Sequence, residues 1–410
     1  MAHSESMASV EDAFRGATSD AKGLPHAALI AMDKDGNIIQ ALATGTFKPL
    51  SVISGPQQPF THNTICWLAS CTKLMTTIAA LQLVERGLLS LNEDIAPILP
   101  ELAKVQILID VKETGPIFRP RTRPITLRSL LTHSSGLVYE SMDPKMTAWG
   151  EWVRKNYPEE VANLNSTEPA KAFSGPLLFE PGEGWAYSTG LDWVGIAVAR
   201  VSGLPLTQYL KQHIWSPLGM DSTTFDLSTR PDLLSRAALM TFRADDGELV
   251  SGETALKAFG VQNGTLYVTE SGGGGCFSTA NDYIKLLRSI HTNDGMLLKP
   301  ESVEEMFKPQ LADPIHLKRY HLGPGSNPLM GNIPHETRVD FGLGGLVVMD
   351  DLERVRRREG SMQWGGMPNL FWWMSPKNGV CGCYFQQLLP PGDKMAVDMY
   401  QRFERATYSL

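Results

Sequence analysis

Residues 66–87 read Cys66-Trp67-Leu68-Ala69-Ser70-Cys71-Thr72-Lys73-Leu74-Met75-Thr76-Thr77-Ile78-Ala79-Ala80-Leu81-Gln82-Leu83-Val84-Glu85-Arg86-Gly87, and this stretch decides the fold. From Leu74 to Val84 it carries no charge, and apolar residues fall on every side of a helix. A helix that is apolar all round belongs inside a large domain. Gly87 then supplies the C′ residue at which helices commonly end. The stretch therefore predicts a buried central helix.

Ser70 and Lys73 lie at the start of this helix, three positions apart. Residues at that spacing share one helix face, with Cβ atoms about 5–6 Å apart. The pattern places a hydroxyl beside an amine at the positive end of the helix dipole, where burying the amine costs desolvation energy. The non-catalytic alternative is an N-cap serine followed by a lysine that reaches out to solvent. A second Ser-x-x-Lys, Ser19 to Lys22, lies in a polar segment and is attributed to chance.

Composition limits the function classes. The chain has 410 residues, 42% of them hydrophobic, and a net charge of −7 without a basic block, so nucleic acid and membrane are not expected partners. The five cysteines show no metal-site spacing, and we expect free thiols in a reducing, cytoplasmic compartment. No signal peptide and no membrane span is recognisable, and no metal or organic cofactor is expected.

Strand patterns lie at both ends of the chain, with helical patterns between them. A helix is predicted over 9–22, and a hairpin joins the strands predicted at 26–30 and 38–42. Four late β-type runs follow, at 341–349, 360–364, 370–374 and 380–386, and then a terminal helix. We expect a single α/β (α+β) catalytic domain over 1–410. Its antiparallel sheet combines 1–62 with 290–410, and a helical lobe, 63–289, is inserted between them.

Several segments of the helical lobe carry candidate functional residues. Tyr187 lies in a loop rich in glycine, and its role depends on whether it contacts Ser70 and Lys73 in the fold. His133 closes a short helix; a general-base role is weighed, and a structural role is favoured. Residues 138–176 contain several aromatic side chains and form either a lid over the site or a peripheral helical hairpin. The glycine run 272–275 lacks the lysine of a phosphate-binding loop.

In combination, the motifs resemble the serine β-lactamase and penicillin-binding-protein superfamily, in its esterase-like branch near the class C β-lactamases. The resemblance is carried by Ser70-x-x-Lys73, Tyr187 in its loop and the late triplet Trp364-Gly365-Gly366. It implies the β-lactamase/transpeptidase-like fold and an acyl-enzyme on Ser70. It favours Tyr187 as the base assisted by Lys73, although the residues alone leave either group open. It also implies an oxyanion site made by the backbone N–H groups of Ser70 and Met367.

Two motifs depart from the penicillin-recognising pattern. Trp364-Gly365-Gly366 stands where Lys-Thr-Gly is usual, and Tyr187-Ser188-Thr189 stands where Tyr-x-Asn is usual. Both departures argue against a β-lactamase or peptidase and favour esters or thioesters as substrates. Trp364 and Phe371, with the aromatic residues of 138–176, are candidate walls for an apolar acceptor.

The resemblance is strongest to fungal polyketide acyltransferases of this branch. It implies transfer of a short acyl group from a thioester or ester donor to a hydroxyl of a polyketide-type small molecule. The donor could be loaded on an acyl carrier protein of a polyketide synthase. A carboxylesterase or thioesterase that discharges the same acyl-enzyme to water is the first alternative. A non-catalytic binding protein is the second.

Overall fold

The sheet is formed by the two ends of the chain. The computed structural model describes residues 7–50, 56–157, 166–252, 261–262, 265–266, 269–321 and 330–408. Within this part of the chain, an eight-stranded antiparallel sheet has the order β4-β5-β6-β7-β8-β1-β2-β3. Its strands are β1 (His26–Asp33), β2 (Ile38–Phe47), β3 (Gln58–Pro59), β4 (Val339–Phe341), β5 (Leu346–Val348), β6 (Met362–Gly366), β7 (Leu370–Ser375) and β8 (Val380–Phe385).

Helices fill the chain between these strands and at both termini. The longest are α1 (Met7–Ser19), α2 (Thr72–Glu85), α3 (Pro144–Asn156), α4 (Gly190–Ser202), α5 (Ala280–Thr292) and α6 (Lys394–Thr407). Shorter helical segments are Ala69–Cys71, Pro100–Leu102, Leu127–Leu131, Glu140–Met142, Pro169–Ala172, Leu206–Leu210, Lys211–Trp215, Ser216–Leu218, Pro231–Leu234, Pro300–Met306 and Ile315–His321. Short strands outside the main sheet are Cys66–Trp67, Ile107–Lys112, Gly115–Arg119, Thr241–Arg243, Leu249–Ser251, Val261–Gln262, Thr265–Leu266, Phe277–Ser278 and Leu388–Leu389.

Both faces of the sheet are covered, because alternate residues of its strands point to opposite sides. On β1, Ala27, Leu29 and Ala31 join the apolar cluster of the terminal helices α1 and α6. Ala28 and Ile30 join the larger cluster that contains α2 and α5. Strand β1 is buried along nearly its whole length and pairs with β8 from the other end of the chain. Both ends of the chain are therefore needed to complete the sheet that separates the two apolar clusters.

Helix α2 lies at the centre of the helical side of the molecule. Its residues from Thr72 to Leu83 are all buried, and it packs against α4. Gly87 follows it with φ 70° and ends it as predicted. The central buried helix is therefore confirmed. No described helix is long and apolar enough to cross a bilayer.

The predicted fold class is confirmed, with local differences. The helix predicted over 9–22 occupies Met7–Ser19, because Gly23 turns the chain into β1. The run 341–349 is not one strand. Gly344, with φ 116°, lies in a turn between β4 and β5. Part of the predicted lid, 158–165, lies outside the described residues, and the lobe boundaries at 62/63 and 289/290 stay predictions.

Candidate active site

A tight turn before α2 presents Ser70. The 3-10 turn Ala69–Cys71 leads directly into the helix, and Ala69 has φ 44°, in the left-handed region. Such a conformation costs a non-glycine residue about 1–3 kcal/mol and is maintained only by the surrounding packing. Ser70 is half-buried, whereas Ala69 and Cys71 on either side are buried. The backbone thus exposes one hydroxyl at the end of an otherwise buried helix.

Lys73 is buried, with 3% of its surface exposed, and is fully hydrogen-bonded. Its Nζ donates to Ser70 Oγ at 3.2 Å, to the Tyr139 hydroxyl at 3.2 Å and to the Gly273 carbonyl at 2.7 Å. Three acceptors match the three donors of an ammonium group. Lys73 therefore does not reach out to solvent, and the non-catalytic alternative for Ser70 and Lys73 is not supported.

Tyr187 lies on the other side of Ser70. Its hydroxyl is 2.6 Å from Ser70 Oγ, and Lys73 Nζ lies 4.6 Å from the centre of its ring. The Trp364 indole N–H donates to the same phenol oxygen at 3.4 Å. Tyr187, 117 residues away in sequence, thus lies within hydrogen-bond reach of Ser70 Oγ, as Lys73 does.

The loop that carries Tyr187 is anchored by Glu180, whose side chain is only 4% exposed. Its carboxylate accepts from the Arg119 guanidinium at 2.7 Å and from the backbone N–H groups of Thr122 and Arg123 at 2.5 and 2.8 Å. Burial alone raises the pKa of this carboxyl, but these hydrogen bonds outweigh it and lower the pKa to about 2. The ionised carboxylate holds the loop in place.

A second layer, Tyr139 and Asp192, supports Lys73. Tyr139 donates its hydroxyl proton to Asp192 Oδ2 at 2.9 Å while it accepts from Lys73. Burial and the adjacent carboxylate raise the pKa of Tyr139 well above its usual range, so this phenol stays protonated. Burial also raises the pKa of Asp192, which Lys73 and several hydrogen bonds oppose. The pair fixes the direction of hydrogen bonding around Lys73.

The glycine run 272–275 is part of this support. The Gly273 N–H donates to Asp192 Oδ1 at 2.9 Å, and the Gly272 carbonyl accepts from Thr76 on α2 at 2.7 Å. A Cβ on Gly273 would lie 2.4 Å from Asp192 Oδ2, so any side chain there displaces the carboxylate. The glycines allow a close approach of backbone to the catalytic helix.

The end of β6 forms the opposite wall of the site. A Cβ on Gly366 would lie 2.3 Å from the Leu68 carbonyl, so only glycine lets β6 pack against the turn of Ser70. A cavity of about 140 Å³ opens here, and no described residue that lines it is charged. Its lining includes Ser70, Tyr187, Trp364, Gly365, Gly366, Met367 and Phe371. The predicted residues of β6, Met367 directly after that strand, and Phe371 of β7 therefore line the same cavity as Ser70.

Comparison with known proteins places this geometry in a family. The beta-lactamase family profile matches residues 18–407. The chain belongs to the beta-lactamase family. The predicted resemblance is thereby confirmed.

Within the beta-lactamase family, the chain is similar to fungal enzymes over nearly its whole length. It is 38% identical to a lovastatin esterase of Penicillium rubens, over 93% of this chain and 94% of that protein. It is 36% identical to a monacolin J acid methylbutanoyltransferase of Aspergillus terreus, over 98% and 95%. The unliganded simvastatin synthase structure from A. terreus superposes with a TM-score of 0.88 at 35% identity, covering 98% of this chain and 97% of that one. The chain is thus an enzyme of the acyltransferase and esterase type within the beta-lactamase family.

Two sequence hypotheses about other residues are now decided by geometry. His133 Nδ1 contacts Ser188 Oγ at 2.8 Å and accepts the Ser188 N–H at 3.1 Å. Burial and the charge of Lys73 keep its pKa well below the usual range, so it is neutral and packs against the Tyr187 ring. It has no described contact with Ser70 Oγ, and the structural role is confirmed.

The aromatic residues of 138–176 do not line the Ser70 cavity. Trp149, Trp152 and Tyr157 line a separate cleft of about 630 Å³, and Phe173 packs against the main core. Met142 is the described residue of this segment that reaches the cavity. As acceptor walls, the structure supports Trp364 and Phe371 but not these four aromatic residues.

Tyr139 and Asp192 are the site residues that sequence reasoning missed. The sequence contains an indication of the role of Asp192, because this residue is the one acidic residue in the apolar helix α4. A buried carboxylate needs hydrogen-bond partners. Tyr139 has no such indication. It precedes a short turn, and nothing local shows that it meets Lys73, 66 residues earlier.

Proposed function

We propose that this protein is a serine acyltransferase. It moves a short acyl group from a thioester or ester donor, through an acyl-enzyme on Ser70, to a hydroxyl of a polyketide-type small molecule. One observation carries the proposal: Ser70 Oγ lies 2.6 Å from the Tyr187 hydroxyl and 3.2 Å from Lys73 Nζ, beside an uncharged cavity. A serine is a nucleophile only with a base at this distance.

In the first step, Ser70 Oγ attacks the donor carbonyl while Tyr187 takes its proton. Tyr187 is the closer of the two candidate bases, and Lys73 provides the positive charge beside it. The backbone N–H groups of Ser70 and Met367 stabilise the tetrahedral oxyanion. The intermediate then collapses, the C–S or C–O bond to the leaving group breaks, and the proton held by Tyr187 protonates the leaving group. The Ser70 ester remains.

In the second step, the acceptor hydroxyl occupies the place of the leaving group. Tyr187 removes its proton, the alkoxide oxygen attacks the Ser70 ester, and the second tetrahedral intermediate expels Ser70 Oγ, which recovers the proton. Water in the acceptor position would give hydrolysis instead. The small cavity, walled by Trp364 and Phe371, leaves little room for water beside an acyl chain, which favours transfer.

The relatives support transfer to a small molecule. One of them is named for transfer of a methylbutanoyl group to monacolin J acid, although another is named an esterase. We further propose that the natural donor is a thioester on an acyl carrier protein. We keep the cytoplasm as the proposed compartment, because all five cysteines are buried free thiols. The β-lactamase reading is not favoured, because no lysine lines the cavity among the described residues.

Intact-protein mass spectrometry tests the proposal. Wild type, Ser70→Ala and Ser19→Ala are mixed with methylbutanoyl-N-acetylcysteamine, with and without monacolin J acid. Ser19→Ala is the matched control, because it removes the serine of the exposed Ser-x-x-Lys copy. We expect one acyl adduct on wild type and on Ser19→Ala, none on Ser70→Ala, and discharge to an ester when the acceptor is present.

Other results would change the assignment. Rapid loss of the adduct to free acid, unaltered by the acceptor, would make the protein an esterase or thioesterase. An adduct on Ser70→Ala would refute the assigned nucleophile. No adduct on any variant with a range of short acyl thioesters would favour the binding-protein alternative.

A further inference from the structure

A second cleft adjoins the Ser70 cavity. It has a volume of about 510 Å³, and it shares Met142, Tyr187 and Tyr320 with the cavity. The catalytic cavity, about 140 Å³, has room for a short acyl chain but not for a larger acceptor as well. An acceptor whose hydroxyl reaches Ser70 therefore extends past Tyr187 into this cleft.

A lysine ammonium and a histidine imidazole line the cleft, in contrast to the uncharged cavity. Lys145 comes from the first turn of α3, and His316 comes from the helix Ile315–His321. Both are half-buried, and neither side chain has an ion pair or hydrogen bond to a described residue. Two half-buried nitrogen groups from different elements thus line one cleft without an anion of their own.

The acidic residue on the cleft wall, Asp143, does not neutralise them through a described contact. Its carboxylate caps α3 and accepts the backbone N–H groups of Lys145 at 2.9 Å and Met146 at 3.2 Å. A further donor lies on the wall, because the buried Trp185 indole N–H has no acceptor among the described residues. A buried donor of this kind normally has a partner, and a ligand oxygen could provide it.

We propose that Lys145 and His316 form a carboxylate-binding subsite that selects acceptors carrying an acid group. The inference rests on the proposed function, since it concerns the acceptor of that same reaction. In β6 an uncharged indole, Trp364, occupies the position of the lysine of the Lys-Thr-Gly motif, so recognition of an acid group requires another cation. An ammonium and an imidazole across one cleft supply charge-assisted hydrogen bonds to both carboxylate oxygens.

The subsite is tested by equilibrium binding, which does not depend on turnover. Full-length Ser70→Ala protein is titrated calorimetrically with monacolin J acid and with its primary carboxamide, a neutral analogue of nearly the same shape. We expect the acid to bind about tenfold tighter, as one charge-assisted hydrogen bond provides. Adding Lys145→Met should reduce that ratio by weakening binding of the acid alone, and so should adding His316→Asn.

Lys155→Met is the matched control. Lys155 is exposed on the same helix, ten positions along it or about 15 Å from Lys145, and does not line the cleft. It removes the same charge from the protein, so the acid-to-amide ratio should not change. Equal affinity of the two ligands for the Ser70→Ala protein, loss of both affinities with Lys145→Met, or binding of neither ligand would overturn the subsite. Absence of a Ser70 acyl-enzyme in wild type would instead refute the proposed function, whatever the binding results.

Discussion

Asp192→Asn is expected to slow the acylation of Ser70 while the fold persists. The Asp192 carboxylate accepts three hydrogen bonds, from Tyr139, Ser271 and Gly273. An asparagine oxygen can still accept from Ser271 and Gly273, but its amide nitrogen then faces the Tyr139 hydroxyl. That hydroxyl already accepts from Lys73, so its own proton is left without an acceptor. The substitution therefore disorders the support of Lys73 and removes a negative charge.

The size of the effect follows from the lost interaction. A hydrogen bond to a charged group contributes about 1.5–3 kcal/mol, and each 1.36 kcal/mol of barrier is about a factor of ten in rate. Acylation should slow by about 10- to 150-fold. Tyr139→Phe should cost about tenfold, because Lys73 keeps its contacts with Ser70 and Gly273 and the carboxylate stays in place.

Rapid-quench intact mass spectrometry measures the acylation rate at saturating thioester between pH 6 and 9. The rate–pH profile of Asp192→Asn should move toward lower pH. The negative charge of the Asp192 carboxylate raises the pKa of neighbouring groups, and the substitution removes that charge. A purely structural defect would lower the rate without moving the profile. Thermal unfolding of each variant reports the fold. An Asp192→Asn enzyme that acylates within threefold of wild type, with an unmoved profile, would refute this account of the site.

Three further substitutions test separate parts of the structure. Trp364→Phe removes the indole N–H 3.4 Å from the Tyr187 oxygen and should slow acylation about threefold to tenfold; an unchanged acylation rate would contradict that contact. Gly273→Ala should destabilise the protein by about 1–3 kcal/mol in urea unfolding. Gly274→Ala is its control, because the added Cβ meets only ordinary contacts from 3.9 Å, and equal losses would contradict the argument. Glu180→Gln should destabilise the protein at pH 7 by about 1–3 kcal/mol. The pKa of Glu180 is about 2 in the folded protein and about 4.3 in the unfolded chain. The difference in the free energy of unfolding between Glu180→Gln and wild type should therefore shrink as the pH falls from 4.5 to 2. Urea unfolding midpoints of both proteins at pH 7 and pH 3 measure this change.

The sequence predicted those parts of the molecule whose signals are local. Helix α2 was recognisable because its apolar residues cover every side, and the β1–β2 hairpin because Gly36 permits φ 81° in its turn. Lys73 was found because three residues separate it from Ser70 on one helix. These features depend on residues that are close together in the sequence, so the sequence pattern is sufficient to predict them.

Other parts of the site depend on long-range packing and could not be predicted in this way. The contact between Lys73 and the Gly273 carbonyl joins positions 200 residues apart, and the glycine run gives no local sign of it. The aromatic residues of α3 were equally consistent with a lid and with peripheral packing. The structure places Trp149 and Trp152 in a different cleft because α3 packs against the hairpin Ile107–Arg119, not over Ser70.

Replacing a lysine by Trp364 has two separable consequences for the reaction. The indole N–H stays beside Ser70 as a neutral donor to Tyr187, so the cavity keeps a group that can stabilise the base without attracting an anion. Recognition of an acidic acceptor must then occur farther out, where Lys145 lines the adjoining cleft. Trp364→Phe should therefore change acylation but not the acid-to-amide ratio in binding, and Lys145→Met should change the ratio but not acylation. If either substitution altered both quantities, the division between a neutral reaction cavity and a charged recognition cleft would be wrong.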